Sequence, residues 1–168
     1  SYRPISNLSF VSKLLERASI DQFNLHGMSN ELMPACQSAY RRHHSTETAV
    51  VKIHNDIARA TDSGYVSALV LLDLSAAFDT VDIEILLDIQ RRRFGVNSSA
   101  LDWFHSYLSD RSQVVSIGSD AYGPSTVACG VPQGSIIGPT GFVVYTEELA
   151  ESIAEPSITF NQYADDTA

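Results

Sequence analysis

The sequence predicts an α+β fold, a small and mostly antiparallel sheet backed by helices, on three observations. Five segments carry apolar residues at helical spacing between recognisable caps. A nearly unbroken apolar run, Val66 to Leu72, stops at a carboxylate, Asp73. A second segment, Ser157 to Tyr163, alternates apolar and polar residues and runs into Asp165-Asp166.

Tyr2 to Leu8 alternates but is interrupted by Pro4, which suits an extended loop or edge strand. Ser9 can cap a helix over about 10–23, with Val11, Leu14, Leu15 and Ala18 on one face and His26-Gly27 ending it. Ser45 can cap a second helix, about 46–60, whose stripe is Val50, Ile53 and Ile57 and whose stop is Gly64. The run from Val66 to Asp73 has the composition of a strand buried on both faces. Asp79 and Asp82 read as helix-start acids for a segment reaching Arg93, with Arg91, Arg92 and Arg93 favourably placed in its last turn before Gly95. From Ser98 another helix carries Leu101, Phe104 and Leu108 on one side. Two short strands, 113–117 and 125–129, meet around Gly118-Ser119-Asp120. A Gly/Pro-rich loop, Gly130 to Pro139, leads to a helix over about 140–153 with Phe142, Tyr145 and Leu149 inward, broken by Pro156. The strand 157–163 follows, and we expect it to lie beside the one ending at Asp73, with the 140–153 helix behind them. A strand entering an acidic pair normally turns into a hairpin, and its second arm is expected to lie past the last residue.

The chain has 168 residues, about one domain's length, with 44% hydrophobic and 18% charged residues. That balance excludes a disordered or collagen-like chain. The longest apolar stretch, Ala68 to Leu72, is far too short for a membrane span. Cys36 and Cys129 have no framework spacing, and the five His residues form no zinc pattern. No Gly-x-Ser-x-Gly elbow is present, so a Ser/His/Asp hydrolase is unsupported. Ser1 stands without an initiator Met or signal-type core, which leads us to expect an internal piece of a longer chain, or a processed product. Net charge is −9, and it is uneven: all eleven Lys and Arg lie at or before Arg111, while 112–168 holds seven acids and no base. Affinity for phosphate backbones comes from basic side chains displacing counterions, so a nucleic-acid function here calls for metal ions or for basic segments elsewhere.

The two strand-end acids are the strongest chemical signal. Alone, Asp165-Asp166 suits a solvated turn, and Asp73 a turn or cap residue. Adjacent carboxylates repel unless a cation lies between them, and hard divalent ions take oxygen ligands. If the two strands adjoin, three carboxylates gather at one rim and could hold two metals roughly 3.5–4 Å apart, the arrangement suited to in-line phosphoryl transfer. No protein nucleophile is needed, because this chemistry depends on positioning and charge neutralisation.

Read in order, YRPISNLS, QSAYRRHHSTETA, LVLLDLSAAFDTVD, GVPQGSIIGP and QYADDT resemble the successive blocks of reverse transcriptases, most closely the non-LTR (LINE-like) retrotransposon type. The resemblance covers Tyr2 to Thr167. It implies a right-hand polymerase: fingers at 1–66 and 95–132, and palm at 67–94 and 133–168. It implies RNA-directed DNA polymerase activity with two Mg²⁺ ions (Mn²⁺ as an alternative), an RNA template, a DNA primer and dNTPs, and a nuclear location for the parent element. By the same resemblance Asp73, Asp165 and Asp166 are catalytic metal ligands, and the Leu74 carbonyl adds a contact. Phe78 falls where the family has an aromatic gate against the ribose 2′-OH, and a core aromatic at a strand-to-helix corner is the alternative. Gln133 would lie against the incoming nucleotide, Arg3 and Arg41 or Arg42 near its triphosphate, and Tyr163 beside the primer terminus. The thumb, endonuclease and RNA-binding regions of such elements find no counterpart in these blocks, so the 168 residues alone are expected to be inactive. Two other readings stay open: another palm polymerase, such as an RNA-dependent RNA polymerase, and a decayed or domesticated nucleic-acid-binding remnant. Phe78 and the Ala-Asp-Asp sequence speak against the first, and the intact carboxylates against the second.

Overall fold

Side-chain caps define where the first three helices begin. The structure, a computed structural model, describes residues 4–41, 43–74, 76–153 and 158–167. Arg3, Arg42 and the expected helix break at Pro156 and strand start at Ser157 lie outside them. Helix α1 (Phe10–Ser29) starts at Ser9, whose hydroxyl accepts from the Ser12 N–H at 3.1 Å. It continues past Phe23, and Gly27 lies inside it rather than at a left-handed cap. A side chain at Gly27 would come within 2.9 Å of the Met33 sulfur, so close packing is what this glycine permits. The expected apolar face is also displaced: Val11, Leu14, Leu15 and Ala18 are exposed, while Glu16, Ile20 and Phe23 are buried. The reason is polar. The Glu16 carboxylate accepts from the Ile136 N–H at 2.6 Å, giving a backbone donor far along the chain the partner that burial demands.

Helix α2 (Thr46–Asp62) begins in a capping box between Ser45 and Thr48, and Gly64 at φ +81 follows its end. Ala49 is buried and Ile53 and Ile57 are half-buried, but Val50 is exposed. Strand β1 is confined to Leu72–Asp73. The rest of the apolar run forms no strand and is exposed, contrary to the expected two-sided burial: only Leu72 and Asp73 pair, with Thr167 and Asp166. A short 3₁₀ turn, Ala77–Asp79, leads into α3 (Ile83–Arg92), capped by Asp82 alone through the Ile85 N–H at 3.1 Å. At its far end Arg91 and Arg92 pair with Asp88, and Arg92 and Arg93 reach Glu148 and Glu147. Helix α4 (Ser98–Leu108) buries Phe104 and Leu108 as expected. Strands β2 (Arg111–Ile117) and β3 (Asp120–Val127) form a two-stranded antiparallel ribbon.

The helix expected over 140–153 is two helices, α5 (Ile137–Tyr145) and α6 (Glu147–Ile153), separated at Thr146. The Thr146 hydroxyl bonds back to the Phe142 and Val143 carbonyls, a local alternative to the helical ladder. Helix α5 packs on α1, α3 and the 3₁₀ turn, whereas α2 is the helix that lies against the strand Gln162–Tyr163. The core therefore sits among α1, α3, α4 and α5, where Val81, Leu86, Ile89, Phe94 and Phe142 are almost fully enclosed. Phe23 joins it, with its ring 5.2 Å from Phe94 and 6.0 Å from Phe104.

Strands β4 (Gln162–Tyr163) and β5 (Asp166–Thr167) make a tight hairpin through Ala164-Asp165. The antiparallel sheet order is β1-β5-β4. Two expectations change here. The first residues of the second hairpin arm are present, and they separate the strands that end at Asp73 and Tyr163, which are not direct neighbours. Nor is the outer edge of β4 open. Residues 36–38 cover it, with the Gln162 N–H donating to the Cys36 carbonyl at 2.9 Å and the Ser38 N–H to the Gln162 carbonyl at 2.8 Å. No helix among the described residues is long and apolar enough to cross a membrane.

Candidate functional site

Strand pairing brings the distant carboxylates together. Asp73 lies directly across from Asp166, and Leu72 from Thr167. The Leu74 N–H donates to the Asp165 carbonyl at 3.2 Å, which fastens the end of β1 to the hairpin turn. Directly opposed residues on an antiparallel pair have Cβ atoms roughly 4.5–5.5 Å apart on one face, and like charges there repel. Asp73 and Asp166 thus form an exposed acidic pair joined across two strands. By donor type and by register they suit a hard divalent ion, which would relieve that repulsion.

The third carboxylate does not close a cage with them. Among the described residues no three acidic, histidine or cysteine side chains stand close enough to share one ion. Asp165 lines a cleft of about 530 Å³, while Asp73 and Asp166 line a second cavity of about 370 Å³. Asp165 sits in the tight turn and Asp166 on the strand after it, so neighbouring side chains leave the hairpin in different directions. Tyr163 lines the second cavity too, with Ala49 and Ile53 of α2.

The larger cleft is built where the 3₁₀ turn meets the Gly/Pro-rich loop. Gly130 donates to the Val81 carbonyl at 2.7 Å and Val131 to the Phe78 carbonyl at 2.8 Å, so the loop is laced to the turn. Gly130 has φ +86, and a Cβ there would meet the Asp79 backbone at 2.9 Å. Only glycine satisfies both demands. Phe78 lines the cleft and stacks on Phe142, ring centroids 5.1 Å apart, so it is at once a cleft residue and part of the aromatic core. Gln133 also lines it, and its side-chain amide donates to Asp79 at 2.8 Å while its carbonyl accepts from the Ser6 N–H at 3.1 Å.

Asp79 is therefore a cleft residue rather than a helix-start acid, a role that helical periodicity does not signal. Arg41 is not among the described residues that line the cleft, and its guanidinium donates to the Pro34 and Gln37 carbonyls, both at 3.2 Å. Tyr40 was not singled out by the sequence. Partial burial pushes its hydroxyl above the usual tyrosine range, and the neighbouring Asp165 and Tyr163 add to the shift. A buried glutamine, Gln37, bonds to the backbone of Ala164 in the hairpin turn. No local pattern signals that contact, which spans most of the chain.

Comparison with known proteins covers the whole chain. The family model described as reverse transcriptase (RNA-dependent DNA polymerase) matches residues 1–168. A probable RNA-directed DNA polymerase from transposon BS of Drosophila melanogaster is 34% identical over all of this chain and 19% of its own length. The RNA-directed DNA polymerase from mobile element jockey of the same species is 28% identical over the same shares. A probable RNA-directed DNA polymerase from transposon X-element is 30% identical over 90% of this chain and 16% of its own. The chain thus spans about a fifth of the length of these curated relatives.

Proposed function

Because the chain belongs to the reverse transcriptase (RNA-dependent DNA polymerase) family, we propose that it supplies the nucleotide-selecting cleft and the acidic centre of a non-LTR retrotransposon polymerase. That polymerase joins dNTPs to a DNA primer 3′-OH against an RNA template. Reverse transcriptases as a family depend on divalent metal ions. Asp73 and Asp166, with Asp165 beside them, are the residues that would hold two Mg²⁺ ions, and Mn²⁺ accepts the same oxygen ligands. Such ions supply activation of the primer hydroxyl and neutralisation of the departing pyrophosphate.

The remaining work belongs to the chain's own groups. Phe78, backed by Phe142, presents a flat wall that excludes the volume of a ribose 2′-OH. Gln133, restrained by Asp79, forms the floor against which a nascent base pair is positioned. Tyr163 and the Asp73–Asp166 rim mark the primer side, and the Leu74 carbonyl is a candidate further oxygen ligand. Arg3 and Arg42 remain candidates for triphosphate contact, while Arg41 would first have to leave its two carbonyl partners. We assign 1–66 and 95–132 to fingers and 67–94 and 133–168 to palm.

The observation that carries this reading is the direct Asp73–Asp166 register at the rim, one residue from the cleft that Asp165 shares with Phe78 and Gln133. Primer extension by the full natural chain, titrated with Mg²⁺, tests it. Asp165→Asn should lower the rate by about 10²–10³-fold or more, as loss of a principal electrostatic group does. An Asp165→Asn enzyme as active as wild type at saturating metal would refute the assignment.

A further inference from the structure

We propose that Gln37 is the positioning residue of the acidic hairpin, acting on Asp165 and Asp166 by clamping the backbone of Ala164. The inference rests on the polymerase reading above but concerns a residue to which that reading gives no part. Ala164 is the first of the two turn residues and has φ +56, a left-handed conformation that costs an L-residue energy and that two-residue hairpins normally give to glycine. Something must hold it there. The Gln37 carboxamide grips both polar atoms of that one residue: its Oε1 accepts from the Ala164 N–H at 3.0 Å, and its Nε2 donates to the Ala164 carbonyl at 3.2 Å. The same Oε1 accepts from the Ala39 N–H at 3.0 Å, which fixes the carboxamide's orientation.

Gln37 is only 1% exposed, so these bonds do not compete with water. It is also mounted on the segment that pairs with the outer edge of β4, so the clamp and the hairpin are joined by the same sheet edge. The two acids are the next two residues after the clamped one. A turn free to relax toward φ below zero would rotate Asp166 out of register with Asp73 and re-aim Asp165 away from the cleft it lines. Gln37 itself does not line the cleft that holds Phe78 and Gln133, so it acts through the hairpin backbone rather than by touching a nucleotide.

The test uses Gln37→Leu, Gln37→Glu and Gln37→Leu combined with Ala164→Gly. The first readout is amide hydrogen exchange at Ala164, which needs neither metal nor activity. Exchange there should accelerate by about 10²-fold in Gln37→Leu. In primer extension by the full natural chain, kcat should fall by about 10²-fold while KM for dNTP stays within about threefold, the pattern of a misplaced reacting group. Adding Ala164→Gly should restore about tenfold of that loss, because glycine adopts the turn without a clamp. Gln37→Glu keeps the acceptor and regains the donor only when protonated, so its kcat relative to wild type should rise as the pH is lowered. That ratio also serves if Gln37→Leu fails to fold. Unchanged Ala164 exchange, a kcat within twofold of wild type, a loss that glycine does not relieve, or a flat Gln37→Glu ratio would each overturn the proposal. If the wild-type chain extends no primer, the polymerase reading falls, and the exchange measurement alone decides whether Gln37 sets the turn.

Discussion

Phe78 carries two loads. Its ring stacks on Phe142, which is almost wholly enclosed, and its exposed side forms a wall of the larger cleft. Phe78→Ala should therefore do two separable things. It should cost about 3 kcal/mol of stability through the cavity left against Phe142, read as a lower denaturant midpoint. If Phe78 gates the sugar as proposed, the substitution should also raise the use of ribonucleotides relative to dNTPs by about 10-fold or more in competitive primer extension. A variant that loses stability but keeps its sugar preference would make Phe78 a packing residue only. Asp79 shows the limit of reading acids from position. Two carboxylates three residues apart before a helical stripe look alike in sequence, yet Asp82 accepts the Ile85 N–H and Asp79 accepts the Gln133 amide. Only the approach of the loop distinguishes them.

The short elements owe their placement to caps and to lacing between neighbours. Helix α3 follows directly from the 3₁₀ turn after β1 and fixes the floor of the cleft through Val81 and the loop bonded to it. Its start depends on one side-chain oxygen. Asp82→Ala should cost about 1 kcal/mol and Asp82→Asn much less, because asparagine keeps the acceptor; equilibrium urea unfolding of the two variants compares them. Equal losses in both would place the effect elsewhere than the cap. Helix limits at Ser9 and Ser45 and the stop at Gly64 were legible because capping is local chemistry. The buried face of α1 and the division of α5 from α6 were not. The first is settled by the Ile136 N–H reaching Glu16 across the fold, and the second by Thr146 turning its hydroxyl back on the helix.

At the scale of the molecule, charge governs what the chain can hold. A net charge of −9, with every base at or before Arg111, opposes a polyphosphate partner. Several of those bases are already engaged, Arg91 and Arg92 with Asp88, and Arg93 with Glu147. The 168 residues by themselves should bind an RNA/DNA primer–template weakly, with an affinity that increases as Mg²⁺ is raised from about 0.1 to 10 mM at constant ionic strength and a shallow dependence on monovalent salt. Fluorescence anisotropy of a labelled primer–template measures both. Tight binding without divalent ion, falling steeply with salt, would point to a basic groove, which neither the larger cleft nor the second cavity supplies, since no Lys or Arg lines either.

Local pieces could be read from the residues alone: capped amphipathic helices, acids at strand ends, the ordered blocks that mark the family, and a β2–β3 hairpin whose second strand nonetheless starts at Asp120 rather than at 125. Each is encoded within a few residues of itself, through periodicity, capping oxygens and turn chemistry. The tertiary structure alone decided which strand separates Asp73 from Tyr163, which helix backs the sheet, that Asp165 and Asp166 face different cavities, and that Gln37 reaches Ala164. Those outcomes depend on hydrogen bonds and packing between segments up to 127 positions apart. Spacing along the chain carries no record of a partner that only folding brings within 3 Å.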